Sequence, residues 1–583
     1  MTSRNLKEFR AGIPLETMSP VMRDAVVVCH KLNVRYLWID ALCIMQDDQE
    51  DWEVQSSKMS EIYSQSRFTL CAASSSSCQE GFLAPTPDRT GPYLQIDCTY
   101  HPGPGAVRSQ GGASLDDPAS TDGPRALRFE PRGKAGMEFE HALDRDLALP
   151  DCAWSSRGWT YQEKTLAPRK LVFGRSAVHF IDTSMSVATE GGRWQRIEAT
   201  YGRYGMTDPK VRANPITLSS NGGAGFYRPL RWQQVVEQYT EMQWSFHGDV
   251  FPALSGIAAV FVQRAPDAEG WGWERDEYLA GLWKMDLHCT LLWYSRDLQR
   301  LPARGLGELL GSLRSIAPVC DDDIAGAAAG GNSVASSSSS FIAPSWSWAS
   351  RKYAVDFAIS NSHGRPLCQQ RFHMRPEYDL VRADVRVRGV NPFGRLDAAS
   401  LRVAAKLLRL PPGSRTAASR LRDGSYELPV WKFWPAPERP IYIITDWARS
   451  FPGTENTNDG VVDGNYDHAA EEGLQLMLLS SCCTYYKNDQ DKVPTGDDAD
   501  KYITDVAWGI HRAMIYQSLR PGPHNCAYCL NLPNERDAWG LLLYPSGKDK
   551  NMYHRVGIWF SYARVGGGLS VFNSIEKQNI TLV

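Results

Sequence analysis

The stretch "RYLWIDALCIMQDDQEDW", Arg35 to Trp52, decides how the first part of the chain is read. Its apolar run Tyr36–Ile39 has the pattern of a buried strand that stops on Asp40, with a thiol at Cys43 and carboxylates at Asp47, Asp48 and Asp51 just beyond. Upstream, residues 18–34 predict a helix: Ser19 sits in the capping position, Pro20 suits the first turn, and Val21, Ala25, Val28, Cys29 and Leu32 share a face. Downstream, residues 51–65 predict a second helix with Trp52, Met59, Ile62 and Tyr63 as its apolar face, and "RFTLCAAS" (67–74) predicts the next strand. Helix, strand, helix and strand joined by short loops imply parallel strands with right-handed crossovers. Asp40 then lies at the carboxyl end of a parallel strand, where open α/β sheets bind ligands, or serves as a hydrogen-bond anchor for the loop. Asp47, Asp48 and Asp51 precede a helix, so capping and dipole pairing are their expected roles.

The rest of the chain divides by pattern. "CAWSSRGWTYQEKTLAPRKLVFGRSAVHFI" (152–181) predicts a helix carrying Trp159, Gln162, Glu163 and Leu166, with Ser155 or Ser156 as its cap, and then two strands. From 228 to 295 the pattern is helical. Trp232, Val235, Val236, Tyr239 and Met242 share one face, Leu254, Ile257, Ala258 and Phe261 another, and "YLAGLWKMDLHCTLLWY" continues the theme. Beyond residue 341 the period falls to two. In "LVRADVRVRG", Val381, Ala383, Val385 and Val387 alternate with charged residues, as in a half-buried antiparallel strand. Gly-, Ser-, Pro- and Asp-rich stretches at 101–125, 321–340, 451–465 and 487–500 predict loops or disorder. The expected division is an α/β domain over 1–185 with an insertion at 101–125, a helical region over 186–320, a linker over 321–340 and a β-rich module over 341–583.

Composition excludes several classes. The chain has 583 residues, too many for one core, and a formal net charge of −3, which gives no electrostatic case for nucleic acid or an anionic surface. No apolar run approaches the roughly 18 to 20 residues that cross a bilayer, and the start lacks the apolar stretch of a signal peptide, so a cytoplasmic protein is expected. The 13 cysteines fit that compartment; Cys29, Cys43, Cys71 and Cys289 read as small core residues. "HNCAYC" (His524, Cys526, Cys529) has one CxxC and no partner pair at finger spacing, so no metal site is assigned.

Three motifs resemble the fungal heterokaryon-incompatibility (HET) domain family: "YLWIDALCIMQDD..DW", "KMSEIYSQSRFTLCAAS" and "RGWTYQEKTLAPRKLVF". "DVFPALSGIAAVF", "YLAGLWKMDLHCTLLW", "APSWSWAS" and "HRVGIWFSY" look like the extended architecture common in that family. Members typically begin with an aliphatic-Ser-Tyr-x-Trp-Gly strand before the "WID" segment. Nothing similar precedes Met18, so the expected sheet is N-terminally incomplete. The family is distantly similar to Toll/interleukin-receptor (TIR) domains, which implies a flavodoxin-like parallel sheet.

The resemblance implies a role in non-self recognition and programmed cell death. It also implies cleavage of the nicotinamide–ribose bond of NAD, as substrate, by a glutamate one turn after a tryptophan. That residue is Glu163, four after Trp159, with Asp40 as the second catalytic candidate across a cleft. Arg157, Gln162 and Asp47 are secondary candidates for nucleotide contacts, with ion pairing, packing and capping as their alternative roles. No resident cofactor is expected. Trp38, Trp159, Trp346 and Trp348 read as packing anchors, and Cys43, with no His partner, as a buried thiol. The remaining functional classes are a non-catalytic signalling module acting through partners or self-association, and a biosynthetic enzyme on the same fold.

Overall fold

The structure is a computed structural model that describes residues 1–83, 95–97, 126–128, 152–175, 178–182, 186–190, 193–197, 228–263, 277–298, 301–315, 341–358, 374–410, 416–423, 426–433, 440–447, 473–483, 536–547, 549, 551–563 and 566–583. The four stretches expected as loops, and the "HNCAYC" segment, lie outside the described residues.

A short helix α1 (Leu6–Ala11) precedes α2 (Pro20–Lys31), which buries Ala25, Val28 and Cys29 on the predicted face. Ser19 makes no side-chain cap, so Pro20 with its preset φ opens the helix. The "WID" segment departs from expectation. Tyr36–Ile39 is not a strand: the chain is extended at Ile39 (φ −133°, ψ 123°), and Asp40 then opens the single-turn helix α3 (Asp40–Cys43). The Ile39 carbonyl accepts from the Leu42 and Cys43 amides, at 2.9 and 2.8 Å, so it is committed to the helix rather than to a ladder. The segment is held by side chains instead. Leu37 packs against the Ala25–Val28–Phe82–Phe173 cluster, and the Trp38 ring meets Tyr63 edge-on at 5.7 Å. Helix α4 (Gln49–Gln65) is capped by Asp48, whose Oδ1 accepts from the Glu50 and Asp51 amides at 2.9 and 3.1 Å.

Strand β1 (Thr69–Cys71) is followed by the hairpin of β2 (Gln95–Asp97) and β3 (Ala126–Arg128). Helix α5 (Gly158–Leu166) leads into β4 (Arg169–Phe173), β5 (Val178–Asp182), β6 (Ser186–Glu190) and β7 (Arg193–Ile197). Their sheet runs β1-β4-β5-β6-β7; β1 and β4 are parallel, and the other three pairings are antiparallel. Of the parallel sheet expected from the sequence, the described residues show this one parallel pair.

Helices α6 (Arg228–Tyr239) and α7 (Pro252–Gln263) keep the faces read from their periodicity, with Trp232, Val235, Val236, Tyr239, Leu254, Ile257 and Ala258 fully out of solvent. Residues 278–295 are not the helix their composition suggested. They form a hairpin of β8 (Tyr278–Leu279) and β9 (Leu282–Trp283), the one-turn helix α8 (Leu287–Thr290) and strand β10 (Trp293–Ser295). The hairpin turn puts Ala280 at φ 47° and Gly281 at φ 89°, the double positive φ of a tight two-residue turn. The Gly281 carbonyl accepts from the indoles of Trp232 and Trp348, both at 2.9 Å. A segment apolar on every side carries no period to separate helix from strand.

Helix α9 (Leu306–Ser315) lies against the β-rich part, which contains β11 (Val355–Phe357), β12 (Arg375–Pro376), β13 (Asp379–Val387), β14 (Leu396–Arg409), β15 (Thr416–Asp423), β16 (Tyr426–Phe433), β17 (Ile441–Thr445), β18 (Gln475–Cys483), β19 (Arg536–Pro545), β20 (Met552–Ser561) and β21 (Lys577–Leu582). Strands β14, β18, β19, β20 and β21 hydrogen-bond in a closed ring, a small barrel in which only the β20–β21 contact is parallel. The alternation read in β13 holds from Ala383 to Val387, but Val381 is exposed. The register with β14 shifts between Leu380 and Arg382, and this bulge turns Val381 away from the core.

One continuous apolar cluster runs from Tyr161 in α5 through α6 and α7 to Leu582 in β21, so helices and barrel share a core. Among the described residues seven tryptophans are fully buried: Trp232, Trp283, Trp293, Trp346, Trp348, Trp539 and Trp559. Within this core sits a charged knot. Asp446 Oδ2 accepts from Arg351 at 3.0 Å and Arg555 at 2.5 Å, and the Arg555 guanidinium lies 3.4 Å from the centre of the Trp293 ring. No helix among the described residues is long and apolar enough to cross a membrane.

Candidate functional site

Helix α5 carries the site because of how it is seated. Its first turn docks on the segment after α6, where the Gly158 amide donates to the Gln243 carbonyl at 2.9 Å. A Cβ on Gly158 would stand 2.3 Å from the Trp244 ring, which explains a glycine in "RGW". One turn on, Gln162 is completely buried, and its Oε1 accepts from the Gly256 amide at 2.9 Å. Gly256 itself has room for no side chain, since a Cβ would meet Ser60 at 2.5 Å and Gln162 Oε1 at 2.7 Å. Helices α4, α5 and α7 therefore meet at Gly256 with Gln162 as their polar tie. Trp159, on the exposed side of the same turn, donates to Asp249 at 3.2 Å and packs edge-on against Trp52 at 6.0 Å. The predicted caps Ser155 and Ser156 instead bond back to Cys152 and Ala153, and Arg157 stands at the cap position without a side-chain cap.

This seating aims Glu163 at α4 and at the "WID" segment. Its carboxylate accepts hydrogen bonds from the Tyr63 hydroxyl and the Trp154 indole, and the charges of Asp40 and Arg157 act on it. Burial is the largest influence and the Asp40 charge the next. Together they push the Glu163 carboxyl up to about 7, against the lowering effects of Arg157, Tyr63 and Trp154. Burial and the nearby Glu163 and Asp40 charges likewise push the Tyr63 hydroxyl well above the usual tyrosine range. The next residue, Lys164, points the other way electrostatically. Burial, then Lys170, pull its ammonium down to about 8, opposed by Cys152 and Cys71, and it lies 5.4 Å from the centre of the Tyr161 ring. Cys71, at 0% exposure in β1, is driven far up by burial and is inert as a nucleophile.

The structure thus brings Glu163 and Asp40 within electrostatic reach, Glu163 half-buried and Asp40 exposed at the start of α3. Arg157 is exposed and close enough to act on Glu163. Gln162 is turned into the helix junction. Asp47 belongs to a different contact, accepting from the Ser3 amide at 2.9 Å and the Ser3 hydroxyl at 2.6 Å. Cys43 is exposed rather than buried, because the one-turn α3 presents its last residue to solvent. Trp346 and Trp348 are buried anchors, as read from the sequence. Tyr63 and Trp154 are site residues that the sequence alone does not reveal. Tyr63 read as one more apolar position of α4, and only the crossing of α4 and α5 shows that its hydroxyl serves a carboxylate 100 positions away.

A half-buried carboxylate raised toward neutrality, bonded by two neutral donors and within the field of a second carboxylate, can take or give a proton and can stabilise a developing cation. No curated protein and no solved structure matches the chain. The family model described as heterokaryon incompatibility protein (HET) matches residues 2–163, Glu163 included, so this part of the chain is a heterokaryon-incompatibility domain.

Proposed function

We propose that the chain is a heterokaryon-incompatibility-type protein of fungal non-self recognition, and that its HET domain triggers cell death from the cytoplasm by cleaving NAD at the nicotinamide–ribose bond. The observation that carries the chemistry is Glu163, half-buried, tied by Tyr63 and Trp154 and raised to about 7 beside Asp40. Loss of nicotinamide leaves an oxocarbenium-like ribose carbon, which an ionised Glu163 stabilises or attacks before water completes hydrolysis to ADP-ribose. Tyr63 and Trp154 fix the carboxylate's direction, and Asp40 adds negative field on the same side. Arg157 supplies a cation for the pyrophosphate. Because the ionised form is the active one, turnover rises with pH through about 7.

The test is nicotinamide release from NAD by the purified chain. Wild type turns over, Glu163→Ala is inactive, and circular dichroism shows both folded. No release from a folded wild-type protein over the neutral pH range overturns the catalytic reading.

A second reading, a signalling module acting through a partner or self-association, is favoured by one feature. Four of the exposed large apolar side chains, Leu15, Val27, Leu32 and Tyr36, fall within 22 residues of the HET domain, with Tyr36 81% exposed. Cell death that survives Glu163→Ala and is lost in Tyr36→Asp would favour that reading.

A further inference from the structure

We propose that Asp286, His288 and Cys289 form a binding site for a zinc-class divalent metal at the seam between the helical region and the barrel. Their ligand atoms all lie within 4.8 Å of one another. Donors around one tetrahedral ion sit about 3.3–3.8 Å apart, given bonds of about 2.0–2.3 Å, so small side-chain rotations close the set. The spacing is local. Asp286 ends a 3-10 turn, His288 and Cys289 follow in α8, and one helical turn gathers all three side chains.

Three observations set the cluster apart from ordinary packing. Asp286 occupies the cap position of α8, yet its side chain makes no capping bond; it turns toward the imidazole and the thiol. Asp286 and Cys289 are 1% and 0% exposed, so two metal-ligating side chains are turned inward at the seam rather than to solvent. The helix that carries them is pinned, because the Ser480 hydroxyl of β18 donates to the His288 carbonyl.

The donor chemistry selects the ion. A thiolate with an imidazole suits zinc and its neighbours in the first transition row, while magnesium and calcium want oxygen throughout. Binding displaces the Cys289 thiol proton to solvent and places a dication against two negative ligands in a dry environment. The three protein ligands leave a fourth position for water. A bound ion would fasten α8 against β18, and with it the helical layer against the barrel.

The test uses the full-length chain, stripped with chelator and titrated with cobalt(II) in place of zinc. The expected result is one tetrahedral cobalt per chain, with thiolate-to-cobalt charge-transfer absorption, displaced by zinc. Cys289→Ser abolishes that absorption, and Asp286→Asn and His288→Gln weaken binding by about 100-fold or more. A Cys526→Ser/Cys529→Ser chain is the control for the other metal-like spacing and retains the signal. Should a ligand variant fail to fold, zinc protection of Cys289 against alkylation in the unmodified chain, read by mass spectrometry, reports the same binding. The proposal is overturned by an absent thiolate band, by a band indifferent to Cys289→Ser and lost with Cys526 and Cys529, or by alkylation of Cys289 unaffected by zinc.

Discussion

The HET domain and the barrel-bearing remainder are built to different standards of packing. Over residues 1–68 the buried side chains are Ala25, Val28, Cys29, Ile44, Ser56 and Met59, and small clusters such as Ala25–Val28–Phe82–Phe173 hold the layer together. Among the described residues, the seven fully buried tryptophans all lie beyond residue 185, six in the core that joins α6 and α7 to the barrel and Trp559 in the cluster under α9. The perturbed carboxylate sits where the two meet: α5 is rooted in the large core through Tyr161 and Leu166, while Tyr63 and Asp40, which act on Glu163, come from the thinly packed part. The site therefore has one firmly packed wall and one wall where local opening costs less.

The largest effect is expected at the charged knot. Asp446→Ala leaves Arg351 and Arg555 buried without their shared partner and costs about 3–5 kcal/mol. In denaturant titration the tryptophan transition moves to lower urea, while amide exchange in α2 and α4 changes little. Equal loosening of α4 would mean that the two regions unfold as one unit, and the contrast would fall.

Next comes pH. Glu163 is protonated in the folded chain up to about 7 but, once unfolded, only to near the ordinary glutamate value of 4.5. The folded state binds the extra proton in that window, so stability falls as pH rises from about 4.5 to 7, by up to about 2–3 kcal/mol. Lys164, held at about 8 against a normal 10.5, works in the opposite sense: its penalty is complete below about 8 and is relieved as pH rises toward 10.5. The HET layer is therefore least stable near pH 7–8. Glu163→Gln removes the acid limb and raises the melting temperature at pH 7.5, a measurement that separates a functional carboxylate from a stabilising one. A lower melting temperature would make Glu163 a structural residue.

Gly158→Ala forces the Trp244 ring to move and costs about 1–3 kcal/mol. The loss appears as faster exchange at the start of α5 and leaves the barrel transition in place. The smallest change is Tyr63→Phe. It removes one hydrogen bond to Glu163, worth about 1 kcal/mol, and lets the carboxyl rise further, so the ascending limb of any pH–rate profile moves to higher pH. An unmoved limb would take Tyr63 out of the site.

What could be read from the sequence follows the same division. Helices α6 and α7 kept the faces that period 3.6 gave them, α2 kept Ala25, Val28 and Cys29 but ended at Lys31 and left Leu32 exposed, and Asp48 capped α4 as its place before a helix suggested. Glu163 and Asp40 could be paired only through the family motif. Periodicity has no means of reporting that Ile39's carbonyl is spent on α3, so "WID" reads as a strand. Nor could it resolve Tyr278–Ser295, apolar on all sides, or the bulge that expels Val381. Tyr63 and Trp154 were hidden because an aromatic ring on a helix face looks like core, whatever its polar tip does.

The closing strand of the barrel has a consequence for how the chain is made. β21 ends at Leu582 and pairs with Leu401–Lys406 of β14, nearly 180 positions earlier, while Trp293 waits for Arg555. During synthesis the HET domain leaves the ribosome whole long before the tryptophan-rich half has the last strand it must close upon. For that interval the nascent chain displays an open barrel edge and unburied indoles, which calls for chaperone cover. A stop codon that removes only the final six-residue strand would leave a finished HET domain attached to a half that cannot complete its fold.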